Sequence, residues 1–194
     1  MMSRLIPLLI LLAALAPAGP AAAHPHIWVD ASVILHMKDG KIVAVSHKWV
    51  FDPRFSIVLL DQFDKNRNRH FEKAEIADLK ANGFAALEQL SYFTHVRVGG
   101  KYQKITQIPH FEGEVSGQNV VYVFTARLET PIDPRTTKAD FLFLDRSYYV
   151  DVAAKKAEIR GEKGCTVAWS DDKSNPIYYG LVIPKMLNVS CPAG

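Results

Sequence analysis

The sequence predicts an α+β fold, a mainly antiparallel sheet interrupted once by a helix–loop–helix. Three observations carry that reading. Two runs rich in β-branched and aromatic residues flank Asp39-Gly40 between residues 26 and 52. Apolar residues then recur at helical spacing across residues 53–93. From residue 94 onward, short alternating or apolar runs return, separated by Gly-Gly, Pro-rich or charged turns.

Ahead of the first strand, Arg4, the apolar run "LIPLLILLAALAP" and the small residues Ala21 and Ala23 read as a secretory signal peptide cut after Ala23. The apolar run is shorter than the roughly 20 residues a bilayer span needs, and no later stretch approaches that length. No cysteine follows the cut, so a lipid anchor is not expected. Residues 24–194 then form one exported, periplasmic domain, long enough to bury a core. With Arg4 removed, 22 Lys and Arg face 20 Asp and Glu, a balance that points to no nucleic-acid partner. Cys165 and Cys191 are expected to form a disulfide in an oxidising compartment. A two-thiolate metal site is the weaker alternative, since neither cysteine has a second one close by.

The first two strands, "HIWVDASVILHMK" and "KIVAVSHKWVFD", suit a hairpin closed by the two-residue turn Asp39-Gly40. That turn pairs Lys38 with Lys41. Continued without interruption, it puts Ile27, Val29, Ala31, Val33 and Leu35 on a core face with Ile42, Ala44 and Val50. His26, Trp28, Asp30, Ser32 and His36 then share the other face with His47, Trp49 and Phe51. Asp30 and His47 become diagonal neighbours, with His26 and His24 further along. Imidazoles oriented by a carboxylate suit zinc, nickel or copper. The competing reading is that these rings pack beneath a second layer.

The amino end adds to the metal reading, because a free amine at His24 can chelate together with its own imidazole. The amide-ligated Cu(II) or Ni(II) chelate through His26 is blocked, since Pro25 has no N–H. A copper brace of amine and imidazole stays open.

Pro53 suits a helix first turn, and Phe55, Val58, Leu59 and Phe63 follow at helical spacing. A second helix is expected over "EKAEIADLKANGFAALEQLSYF", with Ile76, Leu79, Phe84, Leu87 and Leu90 on one side. Between them "DKNRNRHFEKAE", residues 64–75, follows the twelve-residue EF-hand loop. Asp64, Asn66 and Asn68 take the first, third and fifth positions, His70 offers a carbonyl at the seventh, and Glu75 closes the loop. Phe71 supplies the apolar anchor, and Glu72 is a further candidate ligand. Arg69 stands where glycine normally makes the sharp turn, and Lys65, Arg67 and Lys73 add positive charge. The alternative is a loop that keeps the shape without calcium.

No G-x-S-x-G, Walker, H-E-x-x-H or C-x-x-C motif occurs, so no catalytic residue is assigned and no enzyme is expected. His110, Glu112 and Glu114 form a polar cluster that reads as a solvated loop. His36 and His95 read as packing or surface residues.

"HPHIWVD", "SHKWVFD", the EF-like loop about forty residues in and "LDRSYYVDV" together resemble an exported bacterial family of unknown function. That family is labelled the periplasmic component of an uncharacterised ABC-type transport system. The resemblance covers nearly all of residues 24–194 and implies a link to zinc, nickel or cobalt transport, with His24, His26 and His47 at its His-rich positions. Arg69 departs from the glycine usual in its loop.

These readings converge on a periplasmic transition-metal-binding accessory protein serving a membrane metal transporter. His24, His26 and His47 would hold zinc, nickel or cobalt, with Asp30 either orienting a ligand histidine or serving as a fourth ligand, and with no direct membrane insertion after processing. The alternative is a calcium-binding, EF-hand-like structural or signalling module using Asp64, Asn66, Asn68, His70 and Glu75. A copper-brace enzyme is the remote third.

Overall fold

The structure is a computed structural model and describes residues 25–192. The expected signal peptide with its cut after Ala23, and His24, lie outside the described residues. Strands β1 (Ile27–Lys38) and β2 (Lys41–Phe51) form the expected hairpin. Asp39 and Gly40 both take left-handed φ, 52° and 73°, as a two-residue hairpin turn requires. Helix α1 (Pro53–Phe63) follows, its first N–H groups capped by the Asp52 carboxylate. After the 64–72 loop comes α2 (Lys73–Asp78), opened by a reciprocal pair of hydrogen bonds between Glu72 and Glu75.

The second helix is not the single amphipathic element that apolar spacing predicts. It passes into a π-helical turn, Leu79–Phe84, and a 3-10 segment, Ala85–Phe93. Ser91, Tyr92 and Phe93 take left-handed φ between 51° and 54°. The change of pitch turns Leu79, Phe84, Tyr92 and Phe93 inward and leaves Leu90 47% exposed. Leu90 therefore does not share the buried side.

The remaining strands are β3 (Thr94–Val98), β4 (Lys101–Gln103), β5 (Ile105–Ser116), β6 (Asn119–Ile132), β7 (Ala139–Phe143), β8 (Val150–Arg160), β9 (Thr166–Asp171) and β10 (Lys185–Ser190). They build two five-stranded sheets, ordered β5-β6-β2-β1-β8 and β4-β3-β7-β10-β9. Pairing is antiparallel throughout except between β1 and β8, which run parallel. The protein is thus mostly β, with antiparallel-rich sheets and few helices.

The core lies where the sheets and the helical segment meet. His47 of β2 contacts Phe143 of β7, and Phe84 packs on Phe111, Tyr122 and Phe124 of β5 and β6. A Cβ at Gly113 would stand 2.6 Å from Leu79 Cδ2, so glycine there lets the helical segment close on the sheet. Cys165 and Cys191 form the expected disulfide, joining the start of β9 to the chain just past β10.

One residue overturns the expected hairpin faces. Met37 pairs with Ile42 as the turn dictates, but His36 pairs with Ala44, leaving a bulge at Val43. Past the bulge, His47 pairs with Val33, Trp49 with Ala31 and Phe51 with Val29. A one-residue slip moves every later side chain to the opposite face. His47, Trp49 and Phe51 therefore join Val29, Ala31 and Val33 in the core, whereas Val50 now stands opposite Asp30.

Candidate functional site

The bulge takes apart the histidine set that the uninterrupted hairpin would assemble. His47 is 2% exposed, its ring stacked on Phe124 at 4.5 Å and set edge-on to Phe143 and Trp49. Thr94 Oγ1 has a single proton and donates it to the Tyr92 carbonyl at 3.0 Å. At 3.1 Å from His47 Nε2, that hydroxyl must therefore accept, which fixes the proton on Nε2. Nδ1 is left as a bare acceptor with no partner. Burial lowers the His47 pKa from 6.5 to about 3, so the ring is neutral.

Asp30 points the other way. Its carboxylate accepts from Lys155 Nζ at 2.5 Å, and both side chains are exposed. His26 sits exposed where the chain enters β1, its N–H donating to the Tyr149 carbonyl at 2.9 Å and its ring edge-on to Tyr149 at 4.8 Å. Among the described residues, no three His, Cys, Asp or Glu side chains gather closely enough to hold a metal ion. His36, Ser46 and Thr125 instead form a hydrogen-bonded chain, 2.7 Å at each step, that ties β1, β2 and β6 together. His95 is packed, bonding the Leu144 carbonyl, and His110 stands beside Glu112 on β5. That cluster lies within a strand, where the sequence reads a solvated loop.

The 64–75 segment is better formed. Asp64 and Glu75, its two end carboxylates, are 5% and 8% exposed. Asp64 accepts from the Asn68 and Arg69 N–H groups, and Glu75 from those of Lys65 and Glu72. The chain is thereby wound around both carboxylates. Asn66 and Asn68 make successive turns through the Asn68 and His70 N–H groups. Their amide nitrogens both donate to Glu72. Hydrogen bonds, first with Glu75 and then with Asn68 and Asn66, lower the Glu72 pKa to about 2. Phe71 is buried, as an anchor should be.

Arg67 and Arg69 both carry left-handed φ of 61°. A non-glycine residue there costs about 1–2 kcal/mol. The Arg69 side chain leaves the loop and donates to the Gly117 carbonyl at 3.0 Å, fastening the loop to the β5–β6 turn. Lys65 turns outward to the Gln62 carbonyl and Asp78. Two of the loop's positive charges are thus directed away from its carboxylates.

Sequence reasoning missed two buried polar centres. Arg97 bridges Asp140 at 3.0 Å and Asp172 at 2.9 Å, joining β3, β7 and the turn after β9. Asp145 accepts from the N–H groups of Ser147, Tyr149 and Val150 and from the Ser147 hydroxyl, which shapes the loop before β8. Partners 43 and 75 residues from Arg97 leave no local signal. The Asp-x-Ser spacing at 145–147 is one that sequence could have supplied.

Fold and loop together define a two-sheet β protein with an inserted helix–loop–helix wound around two buried carboxylates. The chain belongs to the family described as protein of unknown function (DUF1007), whose profile matches residues 9–177. It is also similar to an uncharacterised 15.5 kDa protein in the trpE 3′ region of Spirochaeta aurantia. The two are 29% identical over 127 residues, covering 62% of this chain and 89% of that protein.

Proposed function

We propose that this is an exported cation-binding protein and that residues 64–75 are its calcium site, EF-hand-like in ligand order. One observation supports the reading above the others, namely the burial of Asp64 and Glu75 at the two ends of a wound loop. Each of their four carboxylate oxygens accepts one backbone N–H and keeps lone-pair capacity for a cation. Asp64, Asn66, Asn68, the His70 carbonyl and Glu75 are the ligands in this reading. Calcium bound there would supply charge neutralisation and order, and no reaction. Lys65, Arg67, Arg69 and Lys73 keep the loop's surroundings positive even with Lys65 and Arg69 directed away from its carboxylates, which fits a Kd on the order of 10⁻⁴ M, the range of extracellular modules. Export to the periplasm is part of the proposal, and the Cys165–Cys191 disulfide supports an oxidising compartment. Among the described residues no helix is long and apolar enough to cross a membrane.

A second reading keeps the transition-metal accessory role beside a zinc, nickel or cobalt transporter in the membrane. The exposed His26 ring at the entry to β1, two residues after His24, favours it, as does the resemblance in "HPHIWVD". Its site shrinks to His24 and His26, without His47 or Asp30.

One titration series tests both readings. Calcium should raise the melting temperature of the parent protein and leave Glu75→Gln unmoved. Equal melting of the parent in calcium and in chelator would refute the calcium site. Zinc or nickel binding that disappears in His26→Ala would support the second reading, and binding unchanged in that variant would end it.

A further inference from the structure

We propose that the end of the molecule where the chain enters β1 seats on a lipid bilayer, at headgroup level and without crossing it. Nine large hydrophobic side chains are strongly exposed among the described residues, and five lie at this end. Trp28 is 45% exposed, Tyr149 53%, Tyr179 96%, Leu181 70% and Ile183 44%. Ring contacts, strand pairing and one cavity place them at this end. Tyr149 packs on His26, Tyr148 on Tyr178, and Tyr178 on Tyr179. Tyr148, Asp151 and Ile183 line one cavity of about 270 Å³, and Asp151 stands beside Trp28 across the β1–β8 pair.

The tip is presented outward. Residues 178–181 form a turn closed by the Ile177–Val182 bridge, with Gly180 N–H donating to the Ile177 carbonyl and Leu181 N–H to that of Tyr178. Tyr178, Tyr179 and Gly180 all take left-handed φ, from 49° to 84°. Two bulky aromatics in that region are a real outlier, and such backbone is held at binding elements more often than elsewhere. Here it leaves Tyr179 and Leu181 in water.

Two arguments select lipid as the occupant. Tyrosine and tryptophan have an apolar body and a polar edge, the chemistry that belongs at the membrane–water interface. The second is chain length. Residues 5–16 carry no charge and are almost wholly apolar, and only eight residues separate them from Pro25. Fully extended, that connection reaches about 30 Å. A connection of that reach keeps this end of the domain beside any bilayer that the apolar stretch at 5–16 would enter. The patch would keep the domain there after that stretch is removed.

Charge is not the driving term. Lys155 is paired with Asp30 and Lys185 with Asp171, and the Asp145 and Asp151 carboxylates also line the cavity, so the rim has no positive excess to draw it to anionic lipid. Apolar contact should make binding insensitive to salt.

The test is flotation of the chain beginning at His24, which keeps every described residue, with vesicles of phosphatidylethanolamine and phosphatidylglycerol. The protein should float equally at low and high salt. Tyr179→Asn with Leu181→Ser should lower the partition coefficient by about tenfold or more. Asparagine tolerates the left-handed backbone, and an unchanged melting temperature shows that the variant folds. The control Ile57→Ser, on α1, should float like the parent. A parent protein that stays with the aqueous fraction, a tip variant that floats as well, or binding lost at high salt would overturn the proposal. So would a dimer by light scattering that the tip variant dissolves, because the patch would then be a self-interface.

Discussion

Acid should destabilise this protein through His47, and His47→Phe should remove that part of the sensitivity. In the native state the ring is neutral, with a pKa lowered from 6.5 to about 3 by burial. Between those values the unfolded chain binds a proton that the native chain refuses. Stability is therefore fully present above about pH 6.5 and is lost as pH falls toward about 3, by about 1.4 kcal/mol per pH unit. Two units below the unfolded value, the loss amounts to roughly 2.7 kcal/mol. Phenylalanine can occupy the slot against Phe124, and it removes the partnerless Nδ1. It forfeits the Nε2–H bond to Thr94, whose hydroxyl still donates to Tyr92. These terms nearly cancel, so at neutral pH the variant should lie within about 1 kcal/mol of the parent.

Urea unfolding of both proteins at several pH values from neutral to about 4.5 reads the difference directly. The two stability curves should diverge as the solution is acidified, with the variant above the parent. Other titrating groups are common to both and drop out. Parallel curves would refute the reasoning. They would mean that His47 titrates near its ordinary pKa, as an accessible ring on the outer face would.

Two further results are expected. Reduction of Cys165–Cys191 should cost about 3.5 kcal/mol by the loop-entropy estimate for its 26-residue separation, read as a lower urea midpoint. An unchanged midpoint after complete reduction would show that β9 and β10 hold the carboxyl end unaided. Arg69→Gly should tighten calcium binding several-fold by relieving the left-handed backbone and deleting a positive charge, while melting in chelator changes little because the Gly117 contact is lost too. Unchanged calcium affinity would place the weakness of the loop elsewhere.

What could be read from the sequence was local. The Asp39-Gly40 turn, the Pro53 helix start and the loop with Asp64 and Glu75 at its ends each depend on residues close in sequence, and each is present. The cysteine pairing followed from there being only two. The bulge at Val43 was not legible, because Val43 is as good a strand residue as its neighbours and its position is set by pairing with β1 and β6. β2 also shifts register against β6 between Ile42 and Ala44, so one irregularity serves both partners. The pitch change after Asp78 was equally hidden. A 3.6 period places Leu90 inward, but Leu79 and Phe84 must meet Gly113 and Phe111 on a sheet whose geometry the period does not contain.

The helix–loop–helix is fastened to the sheet at both ends of its path, and that bears on what a cation there would do. Arg69 ties the loop to the β5–β6 turn, and Ser56 of α1 accepts from the Val120 N–H at the start of β6. Beyond α2, Phe84 lies among Phe111, Tyr122 and Phe124, and the left-handed run at 91–93 delivers Thr94 to His47. A loop so attached starts partly organised, since its carboxylates are already held by N–H groups and its flanks by the core. A cation would then add less order than it does in a free helix pair, because the backbone entropy of winding the loop has been met by the fold. The same attachment leaves little room for the flanking helices to swing apart. Calcium at such a site would act as a brace for one end of the sheet, which favours a structural role over a signalling one.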